Sequence, residues 1–243
     1  MAWTMLGIAA LLLCWEAAAR ISGSELILPG PLPVLNRFMA LVKTERFLRS
    51  LLNSLIRVIL GIGISAPLGI LLGIASGLNP RVRAFFRPLF SVISATPVMS
   101  VILIAFLILG QERTPVFTAF LMVFPVMAAN TMAGIGAVDG GLKEVAALYR
   151  LSRWEKLRRL YIPSLTPFLL GGLHSALSLC WKVVVAAEVL VQPLRALGTG
   201  MQTAKAQLET AELFAWTAAT VSAAALSELI FTLVIRAYRR RKG

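Results

Sequence analysis

Few side chains in this sequence could do chemistry, and most of them fall in one apolar run, 165–190. There His174, Ser178, Trp181, Val185 and Glu188 recur at spacings of four, three, four and three. That spacing puts them on one face of a helix, and Lys182, about 100° further round than Trp181, borders the stripe. An ionisable group inside hydrocarbon costs roughly 2.5–3.5 kcal/mol at a helix centre, so it faces a bundle interior or a wet cavity. His174, Ser178, Trp181, Lys182 and Glu188 are therefore candidates for a polar path or its gate. Glu188 near the outer end would form the gate, and Lys182 would favour an anionic or polar solute. A polar seam that glues helices together is the competing reading of the same stripe.

Other chemistry is sparse. One histidine excludes a multi-histidine metal site, and no GxxxxGK[ST] loop exists to cradle nucleotide phosphates. No catalytic constellation, metal site or cofactor of the chain's own is expected. Gly61, Gly63, Gly69 and Gly73 lie inside an apolar run, where small residues let helices approach closely. Cys14 and Cys180 read as buried free thiols. Arg57 lies near the outer end of its run, where it can snorkel. Glu228 reads as a helix-packing or ion-pairing group.

The elements that must position these residues are membrane helices. The chain is 58% hydrophobic and 14% charged, against about 25% charged in soluble domains. Apolar runs near 3–19, 51–76, 89–109, 115–135, 165–190 and 213–235 each suffice to cross ~30 Å of hydrocarbon, about 20 residues apiece. Lipid admits only internally satisfied backbone, so such runs are helices. The fold class is all-α: a polytopic membrane protein with about six transmembrane helices.

The net charge of +13 raises nucleic acid as a partner until its distribution is considered. With the N-terminus inside, the cytoplasmic segments 77–88, 138–163 and the tail from Arg236 hold fourteen of the 24 Lys and Arg residues. This is the positive-inside pattern, and no nucleic-acid partner is expected. The external segment 20–50 departs from it, with Arg20, Arg37, Lys43, Arg46 and Arg49 against Glu25 and Glu45. The first run lacks a basic n-region and is read as an uncleaved anchor. The chain divides into 1–50, an anchor and external segment, and 51–243, a core with five spans.

One long polar segment separates the spans: EVAALYRLSRWEKLRRLYIP, from Glu144 to Pro163. Val145, Leu148, Leu151 and the Trp154–Leu157 pair recur at helical spacing as one apolar face. Lys143, Arg150, Arg153, Lys156 and Arg159 occupy the other. Pro163 and Pro167 then interrupt helical hydrogen bonding.

Glu144, Ala146, Ile162 and Pro163 are in register with a pattern of Glu-Ala-Ala, three residues, Gly, nine residues and Ile-x-Leu-Pro. This segment resembles the coupling loop of binding-protein-dependent ABC importer permeases. Further pieces in family order are similar to the nitrate, sulfonate and taurine branch, which has relatives for thiamine-precursor pyrimidines. They are Leu28-Pro29-Gly30-Pro31; Ser54, Leu55 and Arg57 with Gly61, Gly69 and Gly73; Phe124-Pro125, Asn130-Thr131 and Gly134; and Trp181, Ala187-Glu188 and Leu197-Gly198-Thr199-Gly200. Departures are Val145 after Glu144, Arg150 for the motif glycine, Leu103 for a proline, and the charge at Lys182.

The resemblance implies a type I ABC importer permease in the cell (inner) membrane, not an enzyme, moving a small polar or anionic solute. Its implied coupling residues are Glu144, Ala146, Ala147, Arg150, Trp154, Ile162 and Pro163. Its implied partners are two cytosolic ABC ATPase subunits that bind the ATP, an extracytoplasmic substrate-binding protein, a second permease copy as homodimer, and membrane lipid. An ATP-independent secondary transporter or channel is the alternative. Arg150 is expected to take ordinary helical or bridge-region dihedrals and to point toward the ATPase.

Overall fold

The computed structural model describes residues 2–240, and those residues form helices without strands. In order they are α1 (Ala2–Ser22), α2 (Pro31–Val42), α3 (Glu45–Leu78), α4 (Pro80–Ala95), α5 (Val98–Gly136), α6 (Gly140–Leu148), α7 (Arg153–Lys156), α8 (Ile162–Val191), α9 (Leu197–Ala206) and α10 (Thr210–Arg240). A π-helical turn, Leu157–Tyr161, joins α7 to α8.

Five helices among the described residues are long and apolar enough to span a membrane: Trp3–Ser22, Glu45–Leu78, Val98–Gly136, Trp154–Val191 and Thr210–Ala237. The protein is thus an all-helical, multi-pass membrane protein. The count is one below the expected six, because α5 carries the expected runs 89–109 and 115–135 together. Its 39 residues would measure about 58 Å if straight, nearly twice the hydrocarbon thickness. It is not straight: Gly110 has φ 72 and ψ 176, a backbone geometry open mainly to glycine. The break falls between the third and fourth apolar runs of the sequence.

The third span begins later than expected. Pro97 pushes Thr96 to extended backbone, φ −75 and ψ 127, as a residue before proline prefers. Helix α4 therefore ends at Ala95, and the following arm starts at Val98. The expected cytoplasmic loop 77–88 is also largely helical. Asn79 caps α4 through its side chain, accepting from the Arg81 N–H at 2.9 Å, and Pro80 fits the first helical position.

The chain falls into two compact units, Met1–Leu55 with Val185–Ser227, and Ile56–Val184 with Glu228–Gly243. In the second unit, glycines of α3 set the helix packing. A Cβ on Gly61 would meet Ala119 Cβ at 2.9 Å, on Gly69 Met127 Cβ at 2.6 Å, on Gly73 Thr131 Cβ at 2.5 Å, and on Gly77 Ile135 Cβ at 2.7 Å. Positions ascend together on both helices, so α3 and the second arm of α5 run parallel. A chain that leaves one helix and enters a parallel neighbour has to recross the layer in between, and the arm before Gly110 supplies that crossing.

Gly63 faces open space, and a Cβ added there would meet nothing within 4 Å. Gly73→Val should therefore force the two helices apart and cost about 1–3 kcal/mol or more. Gly63→Ala should be neutral or stabilise by about 0.5–1 kcal/mol, as expected for an alanine replacing a helical glycine. Thermal unfolding of the two variants in detergent checks the contrast.

In the first unit, four of the five cations that break the positive-inside pattern have partners. Arg20 pairs with Glu16 at 2.7 Å, Arg37 with Glu209 and with Glu212 at 3.1 Å, and Arg49 with Glu45. Arg46 lies over the Trp216 ring, 5.8 Å from its centroid. Trp15 Nε1 donates to the Pro29 carbonyl at 3.0 Å, and Thr210 Oγ1 donates to the Leu26 carbonyl at 2.6 Å. The first bond ties the segment after α1 back to α1, and the second ties it to the start of α10. Cys180 is buried as expected, whereas Cys14 is exposed, because none of the apolar window of α1 is covered by the rest of the chain.

Candidate functional site

The polar segment after α5 folds as two short helices around a tight turn. Asp139 caps α6, its side chain accepting from the Leu142 N–H at 3.0 Å. At the other end the Leu151 N–H donates to the Ala146 carbonyl, and the Arg150 N–H to the Ala147 carbonyl, both at 3.0 Å. This crossed pair is a Schellman motif, which requires a left-handed residue between helix and exit. Arg150 is that residue, with φ 50. The expectation of ordinary dihedrals at Arg150 is thus corrected: the turn keeps the geometry that a glycine serves, and an arginine accepts the strain.

The next helix starts with a reciprocal cap. Glu155 accepts from the Ser152 N–H at 2.9 Å, and Ser152 Oγ accepts from the Glu155 N–H at 3.3 Å, a capping box. The π turn follows, ending at Tyr161, two residues before Pro163. Proline offers no N–H and crowds the carbonyl four residues back, and a widened turn is one way for the helix to accommodate it.

Burial in this segment differs from the face read in the sequence. Val138, Ala146 and Leu160 form a small buried cluster, with Leu151 and Tyr161 packed against it. Leu148, Tyr149 and Trp154 are 81%, 74% and 67% exposed, and Val145 is also exposed. The apolar periodicity runs across a turn rather than along one helix, so only its Ala146 and Leu151 side packs inward. The residues left outside, with exposed Glu144, Ala147, Arg150, Ile162 and Pro163, make a mixed apolar and charged surface. A surface of that composition is suited to docking.

Arg150→Gly should relieve the left-handed strain, which is roughly 1–2 kcal/mol for a residue with a Cβ. We expect the amides of 145–151 to exchange several-fold more slowly with deuterium in that variant. Unchanged exchange would show that the strain is not felt locally.

The residues of the α8 stripe have different surroundings. His174 is exposed and stacks on Phe231 with centroids 6.4 Å apart. Ser178 donates a hydrogen bond to Glu228 of α10, so Glu228 takes the helix-packing role read from the sequence. Trp181 is 2% exposed, and its Nε1 has no hydrogen-bond partner among the described residues. Lys182 is exposed.

Glu188 is fully buried, in the first unit. Ser54 Oγ lies 2.8 Å from each of its carboxylate oxygens, and the Gly198 N–H donates to Oε2 at 3.2 Å. The Leu197 N–H donates in turn to Ser54 Oγ at 3.1 Å. One carboxylate thereby joins α3, α8 and the start of α9. A Cβ on Gly198 would fall 2.5 Å from the Val189 nitrogen, and one on Gly200 2.5 Å from the Trp216 ring. The Leu197–Gly200 motif is therefore a close-approach seat for α9 against α8 and α10.

Sequence reasoning singles out Ser54, Glu188 and Gly198 separately and does not join them. The pairing of Arg57 is missed too. It is 7% exposed, and its Nη2 donates to Glu112 Oε2 at 2.7 Å, so it does not snorkel. Glu112 follows Gly110 at the break of α5, and a lone acid at a span boundary is the available signal.

Five described helices long and apolar enough to span a membrane, with a structured polar loop before the fourth of them, define a multi-pass helical membrane protein. Residues 65–243 match the binding-protein-dependent transport system inner membrane component family. The chain belongs to that family and is an inner-membrane transport permease. It is 30% identical over 241 residues to the taurine transport system permease protein TauC of Escherichia coli K12, covering 96% of this chain and 86% of TauC. It is 28% identical over 194 residues to the nitrate import permease protein NrtB of Synechocystis, covering 76% and 70%. With the bicarbonate transport system permease protein CmpB of Synechococcus elongatus it shares 31% identity over 148 residues, covering 60% and 52%.

Proposed function

We propose that this chain is the membrane subunit of an ATP-driven importer for a small polar or anionic solute. Two copies pair, two cytosolic ABC ATPase subunits dock beneath them, and an extracytoplasmic binding protein delivers the solute. The relatives' taurine, nitrate and bicarbonate systems support a solute of that size and polarity; a thiamine-precursor pyrimidine is the other kind considered. The observation that carries the reading is the loop of α6 and α7, whose apolar Leu148, Tyr149 and Trp154 stay uncovered beside Glu144. Exposed apolar side chains rimmed by charge are a partner's footprint.

In this reading Glu144, Ala146, Ala147, Arg150, Trp154, Ile162 and Pro163 transmit the closure of the ATPase pair, and ATP stays on the ATPases. The membrane helices then tilt as rigid bodies between inward- and outward-facing arrangements. His174, Ser178, Trp181, Lys182 and Glu188 line or gate the path. Exposed Lys182 offers a positive charge to the passing solute, and Glu188 holds the outer end of α8.

The test is reconstitution. The purified chain alone in liposomes should hydrolyse no ATP above background. Adding the ATPase subunits and the binding protein should restore hydrolysis and drive uptake. ATP hydrolysis by this chain alone, or solute uptake at full rate without the ATPases, would sink the proposal.

A further inference from the structure

The second compact unit contains an open cavity of about 500 Å³, a volume typical of small-ligand sites. It lies among the end of α3, α4 and the second arm of α5. Helix α4 contributes Arg83, Arg87, Ser91 and Ser94, at spacings of four, four and three, so they share one helical face. Ser76, at the last turns of α3, completes the polar lining.

Ser76 is 2% exposed, and its Oγ has no hydrogen-bond partner among the described residues. An unpartnered buried hydroxyl is rare in a native fold and calls for an unseen partner. Arg83 Nε donates to the Ser76 carbonyl at 3.3 Å, which ties the guanidinium to this wall while engaging one of its five N–H groups. Among the described residues no carboxylate lines the cavity, and neither Arg83 nor Arg87 forms an ion pair. Phe90 supplies an apolar wall, held against Phe124 with ring centroids 5.9 Å apart.

Two guanidiniums one helical turn apart, with hydroxyl donors beside them and no compensating acid, match the needs of an oxyanion. Guanidinium N–H forks pair with planar or tetrahedral oxygens in bidentate fashion. We propose that this cavity is a binding site for the oxyanion group of a small solute, a sulfonate, carboxylate or nitrate-like head, held by Arg83 and Arg87 with the Ser76, Ser91 and Ser94 hydroxyls. The inference rests on the transport reading above and narrows its solute to oxyanion carriers over neutral pyrimidines. The positive-inside topology puts the end of α3 and the start of α4 at the cytoplasmic side, so the cavity is a station on the release side of the path.

The probe is trifluoromethanesulfonate, followed by ¹⁹F NMR with the full chain in phosphatidylcholine nanodiscs at fixed ionic strength. Saturable line broadening that nitrate competes away is the expected result. Arg83→Gln and Arg87→Gln should each weaken binding about tenfold, the effect of losing one charge-assisted bond, with Arg87→Lys recovering part of it. Both arginines are exposed, so these variants should unfold at the parent temperature. Ser76→Ala removes a hydroxyl that has no partner among the described residues; it should leave unfolding unchanged and still weaken binding.

A second arm uses nanodiscs containing phosphatidylglycerol, with lipid retention read by native mass spectrometry. Retention that depends on Arg83 and Arg87 and displaces the sulfonate would support the same oxyanion chemistry with a lipid phosphate as its source. Absent broadening, or broadening and lipid retention both unchanged in the Arg83→Gln/Arg87→Gln double variant, would overturn the site. The assay needs no ATPase, so its failure beside intact ATP-driven uptake would remove this inference and leave the importer reading standing.

Discussion

Glu144→Lys is expected to reduce ATP-driven uptake by about thirtyfold or more while leaving membrane insertion and helical content unchanged. Glu144 is exposed on α6, so the substitution disturbs no packing within the chain. The neighbouring Lys143, Arg150, Lys156 and Arg159 already make the loop basic. Asp139 and Glu155 are engaged in helix caps, so in the importer reading Glu144 is the acid left to meet a cation of the docked surface, and reversing its sign puts like charges together. Reversed or unpaired charges at an interface cost about 2–5 kcal/mol, which is the thirtyfold figure at its lower end. The measurement is uptake and ATPase rate in proteoliposomes, with co-purification of the ATPase as a binding readout. Normal uptake by the variant would show that this loop is not the lever.

Glu188→Ala should be the most destabilising single substitution in the first compact unit, at about 3 kcal/mol or more. Its carboxylate accepts from Ser54 Oγ and the Gly198 N–H. Removing it leaves those donors buried and unpaired, which costs more than the hydrogen bonds themselves contribute. Glu188→Gln keeps the shape and one acceptor, so a loss nearer 1 kcal/mol is expected. Thermal unfolding in detergent ranks the two, and uptake by the glutamine variant separates the roles. A stable glutamine variant with normal transport makes Glu188 a pin for α9. A stable variant with lost transport makes it a gate.

The polar segment 138–163 illustrates what local pattern carries. Its apolar and basic spacing makes a helical polar segment legible between two spans, because helical periodicity is set by near neighbours. The backbone state of Arg150 is not legible there, since an arginine in place of glycine looks like a reason to move the turn. The crossed hydrogen bonds from Arg150 and Leu151 and the burial of Ala146 against Leu160 hold the left-handed residue in place. Local propensity lost to a small tertiary contact set.

The spans show the same division. Hydropathy alone determined that the protein is helical and crosses the membrane repeatedly, because lipid leaves the backbone no alternative. Charge distribution is the sequence's own argument for which loops face the cytoplasm. The periodicity of α8 placed His174, Trp181 and Glu188 on one helix, but surroundings are not periodic: His174 is exposed and Glu188 sealed. Only the tertiary structure decided that Glu188 answers Ser54 and Gly198, that Arg57 answers Glu112 instead of the interface, and that the α3 glycines seat a parallel helix. Each of these depends on residues more than fifty positions apart or on a helix interface, and a side chain's partner across such a distance is fixed by packing rather than by its neighbours in the chain.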